Sequence, residues 1–105
     1  MSKSISNPEA ARDLELYAVN DGVLYAGIIR STVANMARKM RRGCYDADKA
    51  VKAWEYVAEA AAKKYAREFA HVGEWCSLFN LATRRETAKA LAEFFADNVT
   101  EAAAA

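Results

Sequence analysis

Between Ala47 and Phe69 the apolar residues Ala47, Ala50, Val51, Trp54, Val57, Ala58, Ala61, Tyr65 and Phe69 recur at intervals of one to four positions. Together they fill one face of an α-helix. Asp46 precedes the run as an N-cap, and Asp48 places a negative charge in the first turn, where the helix dipole favours it. The pattern predicts a long helix over about 46–71, stopping before Gly73. Some 25 residues would span about 38 Å at the standard helical rise. That is longer than a small domain is wide, so one end should protrude or the helix should bend. The run Ala58-Glu59-Ala60-Ala61-Ala62 would let another helix approach closely and gives self-association a physical basis.

The rest of the chain is punctuated to pack around that helix. Residues 1–6 read as a frayed arm, and Asn7-Pro8-Glu9 supplies a cap, a first-turn proline and a dipole-compatible acid. A first helix to about Val19 would bury Leu14, Tyr17 and Ala18, and Asn20-Asp21-Gly22 signals a turn. From Val23 to Arg42 the residues Tyr25, Ile28, Ile29, Val33, Met36 and Met40 trace a second amphipathic helix, closed by Gly43. Gly27 inside it costs about 1 kcal/mol against Ala, which a close helix crossing would explain. The stretch Gly73–Ala82 is too apolar for a solvated loop and reads as a buried connection. Thr83-Arg84-Arg85-Glu86 has the capping-box pattern and starts a last helix, with Ala88, Leu91 and Phe95 facing inward. It fades near Asn98, so 7–99 forms one helical domain and 100–105 a frayed tail. No stretch alternates as a strand would. The fold class is all-α, a compact bundle of about four helices.

Composition removes several functions. Fifteen basic residues against 14 acidic give a net charge of +1, which excludes a polyanion binder working by bulk charge and an acidic mimic of nucleic acid. The N-terminus lacks the apolar core of a signal peptide, and no apolar run approaches the roughly 20 residues that span a bilayer. The expected location is the cytoplasm, with no membrane partner. Cys44 and Cys76 are expected there as free thiols.

The string Leu24-Tyr25, Ala37-Arg38-Lys39-Met40, Arg42-Gly43, Tyr45-Asp46, Lys49-Ala50-Val51-Lys52, Trp54 and Ala61-Ala62-Lys63-Lys64-Tyr65-Ala66 resembles a group of small uncharacterised proteins of bacteriophages and related mobile elements. The similarity covers about Leu16 to Phe69, with a weaker match in the C-terminal helix. The group has no assigned activity, so no catalytic or binding residue is carried over. The resemblance implies an accessory protein of phage or prophage origin, in a bacterial host cytoplasm, that binds a host or viral component.

Chemistry-bearing residues are sparse. His71, Glu74 and Cys76 lie close in sequence, but a zinc site needs further ligands at turn-compatible spacing. A Cys-His nucleophile pair would need a third, orienting group. No phosphate loop or nucleophile elbow is present. Neither enzymatic activity nor a cofactor is expected. The basic end of the second helix is more suggestive. Ser31, Asn35, Arg38 and Arg42 share a stripe that could lie on phosphates, with Lys39 and Arg41 beside it, Lys49 and Lys52 extending it, and Arg84-Arg85 as a second basic spot. Cations at a helix C-terminus are also what its dipole favours. A third signal is aromatic: Tyr56 falls off the main stripe of its helix, Trp75 lies in the least readable segment, and Phe94 is a candidate for either the inner face of the last helix or an interface; exposed Trp and Tyr anchor protein interfaces. The sequence thus points to a protein-binding accessory or inhibitory module acting through Tyr56, Trp75 or Phe94, possible in self-association. The alternative is a nucleic-acid binder using Asn35, Arg38, Lys39, Arg41 and Arg42.

Overall fold

A computed structural model describes residues 7–69 and 79–105. Five helices run through them, and no strand is present among the described residues. Helix α1 is Pro8–Asn20, capped by Asn7, whose side chain accepts from the Ala10 N–H. Asp21 then accepts from the Leu24 N–H at 2.9 Å and opens the next helix. Gly22–Leu24, a π-helical turn at Tyr25–Ile29 and Arg30–Arg41 follow without a break and form α2. Helix α3 is Ala47–Glu68, α4 is Leu81–Phe94 and α5 is Ala96–Ala104.

The all-α bundle expected from the pattern is present. Helix α3 packs along α4, α1 lies across α3 and α4, and α5 folds onto α2. At about 33 Å for its 22 residues, α3 fits within a molecule measuring 43 × 32 × 16 Å. The short third dimension makes the bundle a plate, so not every face of α3 can be covered. Leu14, Trp54, Val57, Leu91, Phe79 and Phe95 form the centre of the core. Trp54 and Phe95 stack with centroids 5.1 Å apart and planes 9° from parallel. Phe95 sits at the junction between α4 and α5, with φ −98° and ψ 6°, and its insertion beside Trp54 coincides with the break that turns α5 over α2.

Several local expectations change. The last helix begins at Leu81 with Asn80 as its cap, not at Thr83. The Thr83 hydroxyl instead accepts from the Asn7 N–H at 3.0 Å, and Thr87 donates to the Ala11 carbonyl at 3.0 Å, so two buried threonines stitch α4 to α1. Tyr25 is 42% exposed, because the π turn places Leu24 and Ile29, five residues apart, on the core side. No close crossing explains Gly27: a Cβ built there meets nothing within 4 Å. Ala58, Ala61 and Ala62 are fully buried inside the chain, which removes that face from any contact with a second copy. Helix α5 continues to Ala104, past the point where the sequence pattern fades, and Arg41 Nη1 donates to the Ala102 carbonyl at 2.9 Å. No described helix is long and apolar enough to cross a membrane.

Candidate functional site

Helices α2 and α3 are joined by a turn that is capped on both sides. Gly43 takes the left-handed conformation, φ +74°, which a glycine adopts without a Cβ penalty. Its N–H donates to the Met40 carbonyl, and the Cys44 N–H reaches back to Lys39, the paired bonds of a Schellman ending. Three residues later Asp46 caps α3, accepting from the Asp48 and Lys49 N–H groups. The two helices leave this turn diverging, touching only sparsely. An open groove of about 720 Å³ lies between them.

Ile28, Thr32, Asn35 and Lys39 line the groove from α2, and Lys49, Ala53 and Tyr56 line it from α3. Tyr45 stands at the turn end. The Ser31 and Thr32 hydroxyls both donate to the Ile28 carbonyl at the end of the π turn, so local backbone already uses their protons. Tyr56 is 66% exposed. It also lines a smaller hollow of about 200 Å³ with Glu59, Ala60, Lys63 and Arg67, which carries the surface onward along α3.

Together these residues define a second stripe on α3: Lys49, Ala53, Tyr56, Ala60, Lys63 and Arg67. Their spacing alternates four and three, the repeat that keeps a seam facing a neighbouring helix. Small side chains at Ala53 and Ala60 allow close approach on either side of the exposed Tyr56 ring. The stripe escaped the sequence reading because its apolar members are two alanines and one tyrosine. Only the repeat itself, among cations, signals it.

The charges around the groove differ from those elsewhere. Lys64 binds Asp21 at 2.7 Å and Glu68 one turn on, and it reaches the Tyr17 hydroxyl at 3.4 Å. These contacts raise the Lys64 pKa, chiefly through Asp21, and lower those of Asp21 and Glu68, chiefly through Lys64. Burial raises that of Tyr17. Arg85 pairs with Glu55 at 3.0 Å and Arg84 donates to the Phe79 carbonyl, so the expected second basic spot is tied into the fold. By contrast, Lys39 and Lys49 in the groove form no ion pair among the described residues. The nearby Asp46 carboxylate is occupied in capping α3.

The candidates from sequence are only partly assembled. Asn35 and Lys39 line the groove, whereas Arg38 and Arg42 are exposed outside its lining and Arg41 is directed to α5. Ser31, Asn35, Arg38 and Arg42 keep one stripe along the helix, but only its first two members line the groove. Phe94 is 56% exposed but lies edge-to-face against Phe95, which stacks on Trp54. Tyr56, two residues after Trp54, is rotated about 200° around α3. Tyr56 and Phe94 thus belong to different surfaces. Trp75, like His71 and Cys76, lies outside the described residues. Cys44 is an exposed free thiol at the groove's turn end. No protein-family model, curated protein or solved structure matches the chain.

Proposed function

We propose that this chain is a protein-binding accessory or inhibitory module whose docking surface is the groove between α2 and α3 with its extension along α3. The observation that carries this reading is the stripe centred on the exposed Tyr56, spaced at four and three along α3, on which Lys49, Tyr56 and Arg67 are exposed. An exposed aromatic flanked by small residues and open grooves is the usual form of an interface anchor. Bulk charge gives a nucleic-acid reading little support, and Arg41 at the end of α2 is engaged with the Ala102 carbonyl of α5. The resemblance of Leu16–Phe69 to phage-borne proteins agrees with an accessory role in a bacterial host.

The test is capture from nuclease-treated bacterial lysate with tagged wild-type chain, Tyr56→Ala and Arg38→Ala/Arg42→Ala. A stoichiometric partner that survives nuclease, is retained by the arginine variant and is lost with Tyr56→Ala is the expected result. Recovery that disappears with nuclease, or with the two arginines, would transfer the function to nucleic acid. Tyr56 is exposed, so its replacement leaves the fold intact, which circular dichroism checks.

A further inference from the structure

Two properties of the α3 stripe narrow what can cover it. Its four-three spacing keeps Lys49 to Arg67 on one side of α3, a straight seam along which a helix can lie with its axis near that of α3. From Lys49 to Arg67 it measures about 27 Å, the length of a helix of some five turns. The second property is charge. Lys49 and Arg67 occupy stripe positions and form no ion pair among the described residues, and Lys39 lines the groove with Lys49 at the turn end. The carboxylates among the described lining residues are Asp46, engaged as a cap, and Glu59.

This charge pattern decides between a second copy and a different protein. Two α3 stripes paired in parallel would set Lys49 against Lys49 and Arg67 against Arg67. Paired antiparallel about their centre, they would set Lys49 against Arg67. Either orientation places like charges at the ends of the contact, which opposes self-pairing and favours a partner of the other sign.

We propose that the occupant is an acidic amphipathic helix of a partner protein. Its apolar residues would pack on Ala53, Tyr56 and Ala60, and its carboxylates would meet Lys39 and Lys49 at one end and Arg67 at the other. This inference rests on the groove being the protein-docking surface. The partner's apolar stripe supplies contact area, and its acids set orientation and exclude neutral helices.

The experiment is selection of a displayed library of 18-residue helical peptides, randomised without charge bias, on the full chain. Selected peptides should be net acidic, with apolar residues at three- and four-residue spacing, and should gain helicity on binding. Their affinity should fall at least tenfold on Tyr56→Ala and on Lys39→Glu/Lys49→Glu. Replacing the peptide's acids by lysine should restore binding to the double variant. Neutral or basic peptides that still depend on Tyr56 would overturn the acidic helix and leave the groove reading standing. Binders indifferent to Tyr56 would overturn both. A library yielding no binder at all would overturn the helix, while lysate capture decides the groove separately.

Discussion

Phe94 and Phe95 are neighbours at the same helix junction, yet truncating them should give very different results. Phe95 is 4% exposed, stacks on Trp54 at 5.1 Å and contacts Tyr25 at 6.4 Å. Phe94 is 56% exposed and touches mainly Phe95. Removing a buried Phe costs about 3–5 kcal/mol, because the lost transfer energy is joined by the cavity left behind. The Trp54 stack puts Phe95→Ala toward the upper part of that range. A domain of this size has about 5–15 kcal/mol in all, so the variant should retain little stability. At about 4–8 °C per kcal/mol, its thermal midpoint should fall by about 12 °C or more. Phe94→Ala should cost about 1 kcal/mol or less. Urea titration followed by circular dichroism and Trp fluorescence measures both. Equal costs for the two variants would refute the assignment of Phe95 to the core and of Phe94 to the surface.

Four further outcomes follow from local geometry. Gly43→Ala should destabilise by about 1 kcal/mol, because φ +74° disfavours any Cβ, whereas Gly27→Ala should stabilise by up to about 1 kcal/mol, since its Cβ meets open space; urea midpoints give both signs. Asp21 and Glu68 have lowered pKa values in the folded chain, so their contribution is present above the unfolded values and is lost as pH falls through the folded ones. Lys64→Met should therefore flatten the fall in stability below about pH 5, read from midpoints measured across that range. Thr87→Val keeps the side chain's shape but removes the bond to the Ala11 carbonyl, and should cost about 1 kcal/mol in the same titration.

The existence of α1 to α4 was legible in the sequence because it follows from period and caps, and both are local; α5, which has no side-chain cap, was not. The cap at Asp46, the C-cap at Gly43 and the stripe from Ala50 to Tyr65 need nothing from the rest of the chain. The errors lie where a tertiary partner decides between two local choices. Asn80 and Thr83 are both competent caps three residues apart. Thr83 is drawn inward by the Asn7 N–H, and Asn80 is left to cap. Leu24 and Tyr25 are both apolar candidates, and a π turn, which has no simple residue signature, selects Leu24 for the core. Phe94 and Phe95 are separated in the same way by which one meets Trp54. The interface candidates show a related limit: exposure of Tyr56 could be read from its phase, but the groove beside it depends on how far α2 and α3 diverge.

Alanine is what makes α3 usable from two sides. On the core side Ala58, Ala61 and Ala62 let neighbouring helices approach, and Trp54 and Val57 supply the area that alanine cannot. On the open side Ala53 and Ala60 leave the same low profile around Tyr56, but no large aliphatic residue completes a self-sufficient seam. A stripe with so little apolar area does not drive association strongly by burial alone. On the docking role proposed above, affinity would come from a partner that brings its own large apolar residues and meets the charges at Lys49 and Arg67. A plate only 16 Å thick is the geometry that leaves such a face open.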